Sequence, residues 1–426
     1  MKKLILDILP LFNLQKERIH FYFFLLVILT GSTMRAQHTI NLGELTVLPG
    51  TRMSTVLDFH NQGVFINDGE TYFYGGIHND SIIDFVERDG ISILRGTRDQ
   101  EISGRGSTVF NQLELDNASD RAPFKLHSEI TIENHLRFRR GVLDNRNHGG
   151  TINFEWDATH SGAANRSFVL GAADKMGDQG FVFPTGDRGH YRYARISAGG
   201  QDAKHYKGKY FFENSDVLFP HRQKMNIIKA INDKEYWTIA PIDQAGDRLV
   251  TLSWDDATTP QIMLDNVDNL RIIRWDEKEQ MWIDEGGTSN PEDRTVTSAV
   301  SGYGVVTLGF VDYDTDLPCD ISIYNGISPN GDGRNDSFTV WRDPAGDCID
   351  RLGMKIFNRW GVLVYESDDY GVDGDAFRGY SQGRATVGGA GLPTGTYFYV
   401  MDMEYTRTDG SPGRFEKSGY LYINSN

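Results

Sequence analysis

Short bursts of alternating apolar and polar residues, recurring at a near-constant interval between tight turns, constrain this chain more than any other feature. They run from His38 to about Ala198. Leu45-Thr46-Val47-Leu48 ends at Pro49-Gly50, and Val64-Phe65-Ile66 runs into Asn67-Asp68-Gly69 before Thr71-Tyr72-Phe73-Tyr74. Alternation with period two is the pattern of a strand with one face buried, and Asn-Asp-Gly between two such runs marks a hairpin or a corner. The bursts resemble one another. Asn61-Gln62-Gly63-Val64-Phe65 is echoed by Asn79-Asp80-Ser81-Ile82-Ile83, and Asp68-Gly69 by Asp89-Gly90 before Ile91-Ser92-Ile93-Leu94. Ile130-Thr131-Ile132, Leu136-Arg137-Phe138 and Thr151-Ile152-Asn153-Phe154 continue the series. Spacings of about 18–25 residues suit the rungs of a β-solenoid, in which each unit buries its apolar face on the next. A meandering sandwich gives similar spacing. The solenoid is the favoured reading.

Downstream the runs lengthen. Lys209-Tyr210-Phe211-Phe212, Glu235-Tyr236-Trp237-Thr238-Ile239, Leu249-Val250-Thr251-Leu252-Ser253-Trp254, Leu270-Arg271-Ile272-Ile273-Arg274-Trp275, Met281-Trp282-Ile283 and Gly304-Val305-Val306-Thr307-Leu308-Gly309 all read as strands. Asp-, Gly- and Asn-rich loops separate them, which is the layout of a β-sandwich. Asp312-Tyr313-Asp314-Thr315-Asp316-Leu317-Pro318 reads as an acidic linker. The expected organisation is an export signal over 1–37, a β-rich repeat region over 38–199, a β-sandwich over 200–312 and a C-terminal domain over 313–426. The fold class is all-β.

The signal is read from its three-part layout. Lys2, Lys3, Lys16 and Arg18 precede an apolar run from Phe21 to Leu29, and Ala36 offers a small residue for cleavage, with the larger Met34 two positions before it. The run is too short to cross a bilayer, which takes about 20 apolar residues. An uncleaved anchor is the competing reading. No later segment is apolar and long enough to span, so the mature chain is expected to be soluble.

A net charge of −16 over 426 residues excludes nucleic acid as an expected partner, because phosphate binding needs clustered Lys and Arg. Such a balance keeps an exported protein in solution and can also recruit divalent cations. Cys319 and Cys348 are the only cysteines. In an oxidising compartment they are a candidate disulfide closing a loop of about 28 residues, worth roughly 3–4 kcal/mol on the chain-entropy model.

Four blocks near the C-terminus carry the most specific signal. Tyr324-Asn325-Gly326-Ile327-Ser328-Pro329-Asn330-Gly331-Asp332-Gly333-Arg334-Asn335-Asp336-Ser337-Phe338 comes first, and then Lys355-Ile356-Phe357-Asn358-Arg359-Trp360-Gly361-Val362-Leu363-Val364-Tyr365-Glu366. Leu392-Pro393-Thr394-Gly395-Thr396-Tyr397-Phe398-Tyr399 and Gly419-Tyr420-Leu421-Tyr422-Ile423 follow. The residues alone predict a small antiparallel sandwich: Pro329 to Gly333 and Pro393-Thr394-Gly395 are turn chemistry, and the blocks between alternate between two faces. In this order the blocks resemble the gliding motility-associated C-terminal domain, the type B sorting domain of type IX secretion cargo. The resemblance covers about a quarter of the chain. It implies recognition by the outer-membrane translocon and a dedicated outer-membrane partner protein, with delivery across both membranes to the cell surface or the medium. Phe377-Arg378-Gly379 stands where the family usually has a Trp before the Gly, and the chain ends Asn424-Ser425-Asn426 instead of on a basic residue.

Asn330, Asp332, Asn335 and Asp336 gather oxygen donors in a Gly-rich loop and make a candidate calcium site. No Glu stands in register for a full EF-hand, and a hydrogen-bonded turn is the competing reading. Asp312, Asp314 and Asp316 read as a solvated linker before a metal site. Trp275 and Trp282 are placed across a hairpin, either in the core or as a sugar-stacking pair. No H-E-x-x-H, G-x-S-x-G or P-loop occurs, and His205 and His221 lack ligand spacing. The expected function is that of an exported, non-enzymatic, adhesin-like or structural protein, with glycans or envelope proteins as partners of the upstream domains and no cofactor beyond calcium. The alternative is a secreted hydrolase of polysaccharide or protein with its site in 38–312.

Overall fold

The structure, a computed structural model of the chain, describes residues 38–119, 122–198, 205–242, 248–312, 319, 321–341, 348–372, 374–382, 391–407 and 410–425. The expected export signal, and Asp314 and Asp316 of the acidic run, lie outside the described residues.

The repeat region is a β-solenoid of about six turns. One face is built wholly from parallel strands: His38–Asn41, Asp58–Asn61, Ile77–Asn79, Gln100–Ser103, Phe124–Leu126, Leu143–Asp144 and Val169–Leu170. A second face starts with Glu44–Val47, Val64–Asn67 and Ile82–Asp84, and a third with Arg52–Thr55, Glu70–Phe73 and Ile91–Gly96. The long strand Ser107–Asn117 joins the last two, pairing with Ile82–Asp84 at its start and with Ile91–Gly96 further on. Glu129–Arg140 then stacks on it in parallel. Asn67-Asp68-Gly69 is therefore a corner between two faces of one turn and not a hairpin, because the strands it joins pair with neighbouring turns and not with each other.

Inside, each turn is filled from all sides. Phe59, Phe65 and Phe73 come from the three faces of one turn, with ring centroids 5.1, 5.6 and 6.2 Å apart. All three are fully buried, and burial of an aromatic side chain of this size contributes on the order of 2–3 kcal/mol. The corner beside them is polar. Asn41 donates from Nδ2 to Asn61 Oδ1 at 2.8 Å, and Asn61 donates in the same way to Asn79 Oδ1 at 2.8 Å. Asn79 hands the ladder to Thr108 Oγ1 at 2.9 Å. Each amide also bonds a main-chain carbonyl, Val64, Ile82 or Ser107 in turn. The amides thus satisfy backbone groups where the chain turns and the face-to-face ladder is interrupted. The corner is also tight: a Cβ on Gly63 would lie 2.0 Å from the Gly43 carbonyl oxygen.

The solenoid passes into the next unit without a break in hydrogen bonding. Ala172–Met176 pairs on one side with Thr151–Phe154 in parallel and on the other with His205–Phe211 antiparallel. From there the sheet continues through Tyr236–Pro241 and Gly304–Val311 to Ile228–Ile231, Leu270–Asp276 and Met281–Asp284. A second sheet, Phe181–Phe183, Ala194–Ile196, Leu249–Ser253, Thr295–Ala299 and Thr288–Asn290, lies over it and makes the sandwich. Two of its strands precede residue 200. One apolar core runs from the solenoid into the sandwich, from Phe59 to Leu308 through Phe154, Phe183, Trp237 and Leu252.

The C-terminal unit is a five-stranded sheet in the order Gly326–Ile327, Pro412–Ile423, Gly395–Thr406, Ile349–Phe357, Leu363–Ser367, with a two-stranded ribbon of Ser322–Ile323 and Val340–Trp341. Only the first pairing in the sheet is parallel. Its own core holds Phe338, Met354, Ile356, Tyr370, Phe377, Tyr399, Met401 and Leu421. Among the described residues no helix is long and apolar enough to cross a membrane.

Replacing Asn61 with Ala takes one hydrogen-bond partner from each of the Asn41 amide, the Asn79 oxygen and the Ile82 carbonyl. A loss of about 2–4 kcal/mol in unfolding free energy is expected from these lost bonds, read as a lower denaturant midpoint. Glu44→Ala, at an exposed position one turn earlier, is expected to stay within about 0.5 kcal/mol of the parent.

Candidate functional site: the C-terminal domain and its docking face

The first of the four blocks folds as a nest of side-chain-to-backbone bonds. Asp336 accepts from the Gly331 and Gly333 N–H groups at 2.8 and 2.7 Å. These bonds hold its carboxyl below the usual range for an aspartate. Asn330 Oδ1 accepts from Asp332 N at 3.1 Å, and Asp332 Oδ1 from Arg334 N at 2.7 Å. Gly331, Gly333 and Asn335 have φ of 78°, 81° and 51°, the left-handed region that Gly and Asn enter at least cost. Of the four residues proposed as cation ligands, Asn330, Asp332 and Asp336 thus have side-chain oxygens engaged by the loop's own N–H groups. Among the described residues no group of three His, Cys, Asp or Glu side chains is arranged to hold a metal ion. Pro329 packs against Gly379, where a Cβ would lie 2.9 Å from the proline Cγ.

The second block makes the hairpin turn between Ile349–Phe357 and Leu363–Ser367. Asn358 Oδ1 accepts from Trp360 N and Val362 N, both at 3.0 Å, and the Gly361 N–H closes on the Asn358 carbonyl at 2.9 Å. Gly361, at φ 80°, completes the turn. Arg359 stacks over the half-exposed Trp360 ring, 4.2 Å from its centroid. In the third block Tyr397 donates its hydroxyl to the Pro393 carbonyl at 2.9 Å, which ties the turn before Gly395 to the strand after it. In the fourth, Gly419 lies opposite Tyr399, and a Cβ there would meet the Tyr399 hydroxyl at 2.6 Å. Tyr420, on the other face, is 42% exposed. Phe377, in the place of the family's usual Trp, is fully buried against Tyr365 at 5.2 Å between ring centroids and fills the core position. Cys319 and Cys348 are joined in a disulfide with a Cα–Cα distance of 5.5 Å.

These blocks build a C-terminal domain of short strands whose turns, not its pockets, carry the distinctive residues. Residues 321–423 match the CHU_C type IX secretion signal domain. The chain thus carries a C-terminal sorting domain of type IX secretion cargo, which implies contact with the secretion machinery and export to the cell surface or the extracellular space. No curated protein matches the chain.

The surroundings of this domain were not visible from sequence. One face of its sheet lies on the sandwich: Phe357, Leu363 and Phe398 form a buried cluster with Leu249 and Ala299. Ser418 Oγ meets Ser298 Oγ at 2.8 Å in a buried contact. Gly286 abuts the same strand, since a Cβ there would lie 2.2 Å from the Ser418 carbonyl oxygen. The Asn358–Gly361 turn reaches Ser197, whose Oγ lies 1.9 Å from where a Gly361 Cβ would stand. Beside this contact a groove of about 250 Å³ holds Ser301, Arg351, Lys355, Asp402, Arg414 and Glu416. Burial pushes the Glu416 carboxyl up to about 7, helped by the charges of Glu285 and Asp402 and opposed by Arg414 and Ser301. Glu285, on the sandwich side, is itself held by Arg274 Nε at 2.5 Å and Ser301 N at 2.6 Å. Single small residues such as Gly286, Ser298 and Ser418 give no local signal that distant strands meet at them.

The remaining sequence candidates resolve plainly. Trp275 and Trp282 do face each other across a hairpin, with ring centroids 5.9 Å apart. Both are buried, and Trp282 donates to the Phe219 carbonyl at 3.1 Å, so they are core residues and offer no face to a sugar. His205 pairs with Asp174, and His221 with Ser215.

Replacing both cysteines with Ser, or reducing the bridge, is expected to lower the unfolding stability of the C-terminal domain by about 3 kcal/mol for a loop of this length, measured by denaturant titration. The Glu416 carboxyl is raised in the folded chain, so its contribution to stability is fully present below the ordinary 4.5 and is lost progressively as pH rises through about 7. Glu416→Gln is expected to flatten the fall in melting temperature between about pH 5 and 8, leaving the acid-side value unchanged.

Proposed function

We propose that this protein is a type IX secretion cargo whose solenoid and sandwich act as a binding or structural module at the cell surface, without catalytic turnover. On this reading it is an adhesin-like protein, its partners glycans or envelope proteins. The carrying observation is the unbroken β-sheet from Thr151–Phe154 through Ala172–Met176 to His205–Phe211, which makes the two upstream units one body with one core. The junction between them is packed with paired strands and with Phe181, Phe183 and Tyr206, which supports reading the two as a rigid scaffold. The solenoid interior is filled by phenylalanine, leucine, isoleucine and asparagine ladders, so its side chains are free to vary only on the outside. An export signal over 1–37 belongs to the same reading.

The full secreted chain, offered a panel of polysaccharides and envelope proteins, is expected to be retained by at least one of them with no new reducing ends and no new peptide termini over hours. Turnover of any substrate, abolished by a single carboxylate replacement in 38–312, would establish the hydrolase and overturn the proposal.

A further inference from the structure

Four arginines stand together on the outer surface of the solenoid of a chain whose net charge is −16. Arg95 comes from Ile91–Gly96, and Arg137, Arg139 and Arg140 from Glu129–Arg140. The strand between them, Ser107–Asn117, supplies Glu114 and Asp116 in direct register. Glu114 is met by Arg139 Nε at 2.7 Å, Arg137 Nη1 at 3.7 Å and Arg95 Nη2 at 3.9 Å. Asp116 is met by Arg140 Nε at 2.7 Å and Arg95 Nε at 3.0 Å. Burial would raise the Asp116 carboxyl, but Arg140 and Arg95 outweigh it and hold the group below its ordinary range.

The two carboxylate side chains are only 6% and 7% exposed, whereas the four arginine side chains are 42–60% exposed. The acids lie underneath and orient the guanidiniums above them. Two arginines would neutralise two carboxylates; four leave a surplus of two positive charges, crowded together against their mutual repulsion. Arg139 and Arg140 engage their carboxylates through Nε, and the outer edge of each planar fork is left for a second acceptor. Next to the cluster stand two tyrosine rings. The Arg95 guanidinium lies 5.7 Å from the Tyr72 ring centroid, and the Tyr72 and Tyr74 rings run nearly parallel, 16° apart, with Tyr74 45% exposed. Arg52 and Glu70 at this edge pair with each other and add no net charge.

We propose that this patch binds an anionic glycan, its acidic groups taken by the outer edges of Arg137, Arg139 and Arg140 and a sugar ring lying on Tyr74. Forked donors match carboxylate or sulfate oxygens, and an exposed tyrosine face suits the apolar side of a pyranose. A nucleic acid is the less favoured occupant, because a long polyphosphate would meet the field of a strongly acidic protein beyond this small patch. The inference rests on the recognition role proposed above and names the ligand class.

The test uses the full secreted chain and measures binding at low and high salt to polygalacturonate, dextran sulfate, neutral dextran and single-stranded DNA. Retention by at least one charged glycan, at least tenfold tighter than by dextran or DNA and weakened by salt, is expected. Arg137→Gln with Arg139→Gln should weaken it about tenfold or more, whereas Arg166→Gln with Arg188→Gln, which removes the same charge elsewhere, should change it less than twofold. Tyr74→Ala touches neither buried carboxylate and should cost at least threefold, so the proposal stays testable if the double arginine variant fails to fold. Equal retention by DNA, or indifference to both the arginine and the tyrosine changes, overturns the proposal. Binding to neutral dextran alone overturns it too while leaving the recognition role standing; retention by no glycan or envelope protein ends both.

Discussion

Everything upstream of the sorting domain depends on one condition: when a chain stacks its own strands in parallel, every polar group at the corners must be answered from inside. Water does not reach these positions, and an unpaired buried amide costs about 1–3 kcal/mol. The Asn41–Asn61–Asn79 ladder meets the condition by letting each side chain accept from one turn and donate to the next while capping a main-chain carbonyl. Once the corners are satisfied, the faces need only apolar residues at alternate positions, and Phe59, Phe65 and Phe73 supply them. The outer positions are then released from packing duty, which is how a strand as central as Ser107–Asn117 can carry Glu114 and Asp116 beneath a layer of arginines.

The parts of this fold that were legible are those written locally. Period-two alternation in Val64–Asn67 and Ile91–Gly96 gave the strands, and the recurrence of Asn61 in Asn79 gave the rung. The Asn67-Asp68-Gly69 run was readable as a hairpin or a corner but not as one of the two, since they differ only in which strand the partner is, and partnership is not local information. The same limit hid the join between solenoid and sandwich. Ala172–Met176 looks like any short strand, and its change from a parallel to an antiparallel neighbour is decided by His205–Phe211, some thirty residues on. Trp275 and Trp282 were correctly placed opposite each other, but only the packing of Phe219 and its neighbours settles that they point inward.

In the C-terminal domain, sequence blocks marked the turns because turns demand particular residues: Gly at positive φ, Asn or Asp to catch backbone N–H groups, Pro to set direction. The face that lies on the sandwich demanded only smallness and apolarity. Phe357 and Phe398 could serve an internal core as well as an interface, and Ser298 and Ser418 could be any surface serines. Hence the motif residues divide into those that shape the domain, such as Asn358 and Asp336, and those that double as contacts with the passenger, such as Phe357 and Gly361. A sorting domain seated in this way has only part of its surface open to the secretion machinery, with Trp360 and Tyr420 on that open part.

The bridge between Cys319 and Cys348 adds a dependence on surroundings. Thiols stay reduced in a cytosol and pair only in an oxidising compartment. The staple closes across the beginning of the sorting domain, from Cys319 ahead of the ribbon strand Ser322–Ile323 to Cys348 at the start of Ile349–Phe357. The domain therefore has its full stability only in oxidising surroundings. The part of the chain that marks it for export is thus also the part whose stability answers to the redox state of its surroundings.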